Sequence, residues 1–258
     1  MRTILIKATF LLLLTGNALF AQSSKPVTSG IIEFDKNVNI YGLIKQQIGK
    51  TPDEITLKMV EQYKKAHPQF KTLKSTMTFT KEKALFTPIP SGDNERIIGN
   101  DNPMATQSNI IFTDFLKEAS VVQKTIYEDN FLIKDSLRKI SWKITDETRE
   151  IAGYHCRRAN ALILDTVYVV AFYTNEIPVS GGPESFTGLP GMILGVALPH
   201  ENVTWFASKV TETPVQAAAI VPPKKGKTVT YKQLLETLKS AMKDWGRTGP
   251  YEMKVFSL

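Results

Sequence analysis

A chain of 258 residues with a single cysteine has no partner for an internal disulfide and cannot build a multi-cysteine zinc or iron–sulfur site. Histidine is scarce as well, and His67, His155 and His200 stand far apart. The sequence contains no Gly-x-Ser-x-Gly elbow, no His-Glu-x-x-His, no complete Gly-x-x-x-x-Gly-Lys-Ser/Thr phosphate loop and no dinucleotide fingerprint, so no cofactor is expected. Beyond the first residues, no stretch approaches the ~18 uninterrupted apolar residues that a transmembrane helix needs. What is present is material for a core: 42% hydrophobic and 22% charged residues exclude a wholly disordered chain.

The net charge of +7 is spread along the chain, with small clusters at Arg157-Arg158 and Lys224-Lys225-Gly226-Lys227. Such lysines suit solvated strand edges, or contact with acidic envelope components. Residues 1–21 carry Arg2 and Lys7, then the apolar run Ala8–Leu14, then small and polar residues up to Ala21-Gln22, the order of a secretory signal peptide. The mature chain is therefore expected to be exported, periplasmic or extracellular, with no transmembrane segment and no nucleic-acid partner.

Alternation dominates the remainder. Ser75–Thr80 places Met77 and Phe79 on one face, and further strands are predicted over 31–35, 109–115, 120–127, 131–134, 139–144, 154–164, 166–173 and 203–210. Thr166–Tyr173 is apolar on both faces, as in a central strand covered on both sides. Thr51-Pro-Asp-Glu offers a cap for a helix over 52–66, ended by His67-Pro68. Thr230 and Gln233 form a second capping box for a helix over 231–245, whose stripe Leu234, Leu235, Leu238, Ala241, Met242 and Trp245 suits packing on a sheet. The predicted fold is mainly β (α+β): one domain over 22–258, a curved antiparallel meander sheet covered by one helix in the N-terminal half and one C-terminal helix.

Cys156 falls in phase with Ala152, Tyr154, Leu162 and Leu164 if residues 151–164 are extended, which favours a buried thiol. His155 then points the other way, so the two do not pair on a metal. Around residues 177–196, Ile177-Pro178 ends a strand, Gly181-Gly182-Pro183 forces a restricted turn, and Gly188-Leu189-Pro190-Gly191 adds another, with a glycine at positive φ. This loop reads either as a shaped connection whose apolar residues plug the sheet, or as exposed amides that cradle an anion or a peptide end.

The elements Trp142-Lys-Ile, Ile151-Ala-Gly-Tyr-His-Cys-Arg-Arg-Ala159, Ala171-Phe-Tyr-Thr-Asn-Glu-Ile-Pro178, Gly182-Pro183 and Phe186-Thr-Gly-Leu-Pro-Gly-Met-Ile193 together resemble the GLPGLI family of exported proteins typical of Bacteroidota. The resemblance covers about residues 75–210, and Met192 stands where the signature has leucine, a volume-conserving change. It implies envelope association and an accessory or binding role, with no established activity, cofactor or substrate.

The leading expectation is a noncatalytic envelope protein that binds an envelope protein, a peptide or a small apolar ligand. One alternative is a hydrolase, which requires carboxylates such as Asp165, Glu176 or Glu184 to converge in a cleft. Another is metal binding through His155, His200 or Cys156, with a methionine such as Met192 as a soft ligand.

Overall fold

The computed structural model describes residues 26–90, 103–106, 108–246 and 248–258. The predicted signal peptide at 1–21 lies outside the described residues. In chain order the elements are β1 (Gly30–Asn39), α1 (Ile40–Ile48), α2 (Glu54–Ala66), β2 (Phe70–Phe79), β3 (Lys83–Pro88), α3 (Pro103–Thr106), β4 (Ile110–Asp114), β5 (Ala119–Ile126) and β6 (Asp129–Ser136). There follow β7 (Lys143–Ile151), β8 (Tyr154–Ile163), β9 (Val167–Thr174), β10 (Met192–Leu198), β11 (Val203–Glu212), β12 (Lys227–Val229), α4 (Tyr231–Ala241) and α5 (Thr248–Phe256).

The twelve strands among the described residues join one open sheet in the order β12-β6-β5-β4-β3-β2-β1-β11-β10-β9-β8-β7. Two antiparallel meanders, β1 to β6 and β7 to β11, meet where β1 pairs with β11. The expectation of a wholly antiparallel sheet needs one correction. β12 runs parallel to β6, because the chain returns to the far edge through a long connection rather than a hairpin. β9 is buried along nearly its whole length between β8 and β10, as its two apolar faces predict.

The helical cover differs from the predicted one. The helix predicted over 52–66 forms as α2 but is capped two residues later: Asp53, not Thr51, is the cap and accepts from the Thr56 amide at 2.7 Å. Nor does α2 cover the sheet with its apolar residues. Only Tyr63 is buried in it, and Ile55, Leu57 and Met59 are exposed. The cover comes from α1, which follows β1 without a loop and buries Ile40, Leu43 and Ile44. Gly42 inside α1 obscures it in the sequence, yet the site requires glycine, since a Cβ there would sit 2.1 Å from Asn202 Oδ1.

At the other end, the Thr230–Gln233 capping box forms as predicted, and α4 with its C-cap Met242 packs Leu234 and Leu238 against Ile126, Phe131 and Ile133. The helix ends at Ala241 rather than 245, and a further helix, α5, returns residues 248–256 to the sheet. The strand predicted at 139–144 is displaced to β7, starting at Lys143. The indole of Trp142 is engaged elsewhere, donating to the Thr187 carbonyl at 2.9 Å.

Candidate functional site

The turn predicted at residues 177–191 is a tightly tied loop between β9 and β10. The amides of Val179, Gly181, Phe186, Met192 and Ile193 donate to carbonyls of the same loop, and that of Gly188 to Ser180 Oγ. Gly188 has the predicted positive φ, at 94°, and is exposed. Gly191 is required by space: a Cβ would lie 2.0 Å from the Thr174 carbonyl oxygen. Gly181, Gly182, Pro183 and Leu189 are buried, and Pro190 is exposed. The loop also turns the side chains of Glu184 and Ser185 toward the interior.

Glu184 holds a left-handed backbone conformation with φ 52°, unusual for a residue other than glycine. That turn aims its carboxylate inward, where Oε2 accepts from Asn109 Nδ2 at 2.9 Å. A small cleft of about 20 Å³ at this point is lined by Glu184, Asn109, Lys36, Phe186 and Trp205. The Lys36 ammonium lies 5.2 Å from the centre of the Trp205 ring, a cation–π contact. The Trp205 indole N–H is buried with no acceptor among the described residues.

Beside it opens a cavity of about 340 Å³ between β4, β5, β6, the segment 137–139, the loop and the last residues of the chain. Its polar groups come from separate elements. Lys124 of β5 is only 4% exposed and donates to the Phe256 carbonyl at 2.7 Å. Arg138 and Tyr231 both donate to the Ser257 carbonyl, and Ser185 Oγ donates to the main-chain oxygen of Leu258 at 3.1 Å. Ile111, Val122, Ile133 and Leu137 supply apolar wall.

Burial pushes Lys124 down to about 8, the negative charge of Glu184 works against that shift, and Arg138 and Lys36 add to it. Burial likewise lowers Lys36, again offset by Glu184. The loop carboxylate thus serves two buried lysines. Taking an ion out of water costs several kcal/mol, so these charges are expensive features for a purely structural interior.

The other predicted site residues fall elsewhere. Cys156 is fully buried in β8, its thiol pushed up to about 12 by burial and then by the charge of Glu176. The phase predicted for it does not run the length of the strand: Leu162 is exposed, and Ala159, Ala161 and Ile163 are buried instead. The buried face changes where the partner strand β7 bulges, between Ile144 and Thr148. His155 is exposed, with its amide donating to Glu176 Oε1 at 3.0 Å. His200 sits at the far end of β9, its ring 6.5 Å from that of Tyr168. Asp165 lies in the β8–β9 turn and Glu176 beyond the other end of β9, so these two do not converge, and Glu184 is held inside by Asn109. Among the described residues, no three His, Cys, Asp or Glu side chains group as metal ligands, and no helix is long and apolar enough to cross a membrane.

Lys36, Lys124 and Asn109 were not singled out from the sequence, although a signal exists. In β1 the buried phase reads Ile32, Phe34, Lys36, Val38, and in β5 the inward phase reads half-buried Val122, then buried Lys124 and Ile126. A lysine in an apolar phase marks a cation that the fold turns inward.

These features define a single-sheet β protein with a cationic, partly apolar cavity beside its β9–β10 loop. Residues 161–195, which include that loop, match a family model described as "Protein of unknown function (Porph_ging)". No curated protein matches the chain. The fold is similar to that of PNGF-II in a C2 crystal form, with TM-score 0.51 and 13% identity over 81% of this chain and 32% of that one. A P21 form of PNGF-II aligns at TM-score 0.48 and 16% identity, over 80% and 33% of the two chains. The chain spans about a third of the length of those structures, and at such identity the likeness is one of fold.

Proposed function

We propose that this is an exported, noncatalytic binding protein of the GLPGLI type, and that the cavity beside the β9–β10 loop is its ligand site. The observation that carries the reading is Lys124, an almost fully buried cation that lines a cavity with apolar walls. Pockets with mostly apolar linings and a few convergent polar groups are the usual form of small-molecule sites. The separation of Asp165, Glu176 and Glu184 favours binding over hydrolysis, since acid–base cleavage needs two such groups at one bond. The signal-like segment at 1–21 and the family signature support export.

Native mass spectrometry of protein recovered from its own cell envelope tests the reading. A reproducible bound species, lost when the cavity is filled by Val122→Trp, is the expected result. Recovery without any bound molecule or partner across repeated gentle extractions would count against it. The mass of the recovered chain checks export, since cleavage after Ala21 leaves Gln22 as its first residue.

A further inference from the structure

The cavity has a polarity of its own. Its cationic lining residues are Lys124, Arg138 and Lys139, in order of increasing exposure, so positive charge runs from the mouth to the interior. Its one acidic lining residue is Asp135, whose two oxygens already accept from the amides of Ser136, at 2.8 Å, and Tyr231, at 2.9 Å.

Neither inner cation has a carboxylate within ion-pair distance among the described residues. An ammonium has three N–H donors, and Lys124 meets one acceptor, the neutral Phe256 carbonyl. A guanidinium has five, and Arg138 uses Nη2 alone, toward the Ser257 carbonyl and the Tyr231 hydroxyl. Glu184 acts on Lys124 through its charge but makes no ion pair with it, so buried Lys124 and half-buried Arg138 keep spare donors at one end of a partly apolar cavity, where an anion can pair with both.

We propose that the ligand is an amphiphilic organic anion, a carboxylate held by Lys124 and Arg138 with its apolar body against Ile111, Val122 and Ile133. This rests on the cavity being the binding site. A carboxylate suits a guanidinium fork joined by an ammonium, and the aliphatic patch of Ile111, Val122 and Ile133 suits an apolar body. The carbonyls of Phe256 and Ser257 need not be displaced, since the spare donors are other hydrogens on the same groups.

Calorimetric titration of the full-length exported protein with octanoate, octan-1-ol and acetate separates the contributions. Octanoate should bind once per chain, with octanol and acetate each at least about tenfold weaker. Lys124→Met should weaken octanoate by about tenfold or more and leave octanol unchanged. Arg138→Gln should act in the same direction, and circular dichroism of both variants checks that they fold. Equal binding of octanol and octanoate, or unchanged octanoate binding by both folded variants, overturns the assignment. If octanoate fails to bind while the envelope-derived protein carries a neutral molecule displaced by Val122→Trp, the anion is wrong and the binding site stands. If nothing occupies the cavity in either experiment, both are wrong.

Discussion

Asn109 and Glu184 are 75 positions apart in sequence and meet as a buried hydrogen-bonded pair at 2.9 Å, which fixes the carboxylate that faces two buried lysines. Asn109 stands just before β4 and Glu184 in the β9–β10 loop, so this contact ties the two meanders together across the interior.

Glu184→Gln keeps a side chain able to pair with Asn109 and removes the negative charge. Lys36 and Lys124 then lie buried without it, and losing one member of a buried charge set costs about 3–5 kcal/mol. Denaturant titration should show a loss of that order at neutral pH. Adding Lys36→Met should restore part of it; a double variant as unstable as the sum of the singles would show that the charges are not coupled.

Lys124 links stability to pH. Its folded value is about 8, against 10.5 for a free lysine, so between these limits the unfolded chain binds more protons than the folded one. The penalty for burying the ammonium is full below pH 8 and is relieved as pH rises toward 10.5. Glu184, Arg138 and Lys36 are the charges acting on it. The stability of Lys124→Met relative to the parent should therefore fall across this window, by at most about 1.4 kcal/mol per pH unit. A difference constant from pH 8 to 10.5 would refute the assignment.

The β9–β10 loop should be intolerant at one glycine and forgiving at another. Gly191→Ala sets a Cβ 2.0 Å from the Thr174 carbonyl oxygen, so β9 and β10 must separate there. Gly188 has open surroundings, its closest atom being Trp142 Nε1 at 3.5 Å, and Gly188→Ala meets only the conformational penalty of φ 94°, about 1–2 kcal/mol. Thermal melts should show a small shift for Gly188→Ala and a much larger one, or failure to fold, for Gly191→Ala.

Cys156 should be chemically silent in the native protein. It is fully buried, and at about 12 its thiol is almost entirely protonated at pH 8. Modification by an aromatic disulfide reagent at pH 8 should be slower than in denaturant by on the order of a thousandfold, since the thiolate is the reactive species. Comparable rates in the two states would place the thiol at an accessible surface.

The local grammar of the chain was legible before any fold was known. Period-two alternation located most of the strands, the doubly apolar run at 166–173 marked a central strand, and Thr230 with Gln233 marked the start of α4. These are short-range properties, governed by side-chain period and by amides left unpaired at helix ends. Glycine spacing likewise revealed the restricted β9–β10 loop and a positive φ at one of its glycines, which the structure places at Gly188.

Tertiary structure decided what those local pieces do. Which strand pairs with β1, whether α1 or α2 covers the sheet, and where β8 changes its buried face depend on partners far away in sequence, and no local period carries that information. The lone cysteine and sparse histidines, which first narrowed the chemistry, remain apart from the cavity. The cavity is lined instead by Lys124, Arg138 and Asn109, with Glu184 in the small cleft beside it. Separately, each reads as an ordinary polar residue. Only the folded sheet removes them from water together, and desolvation turns common surface charges into a site.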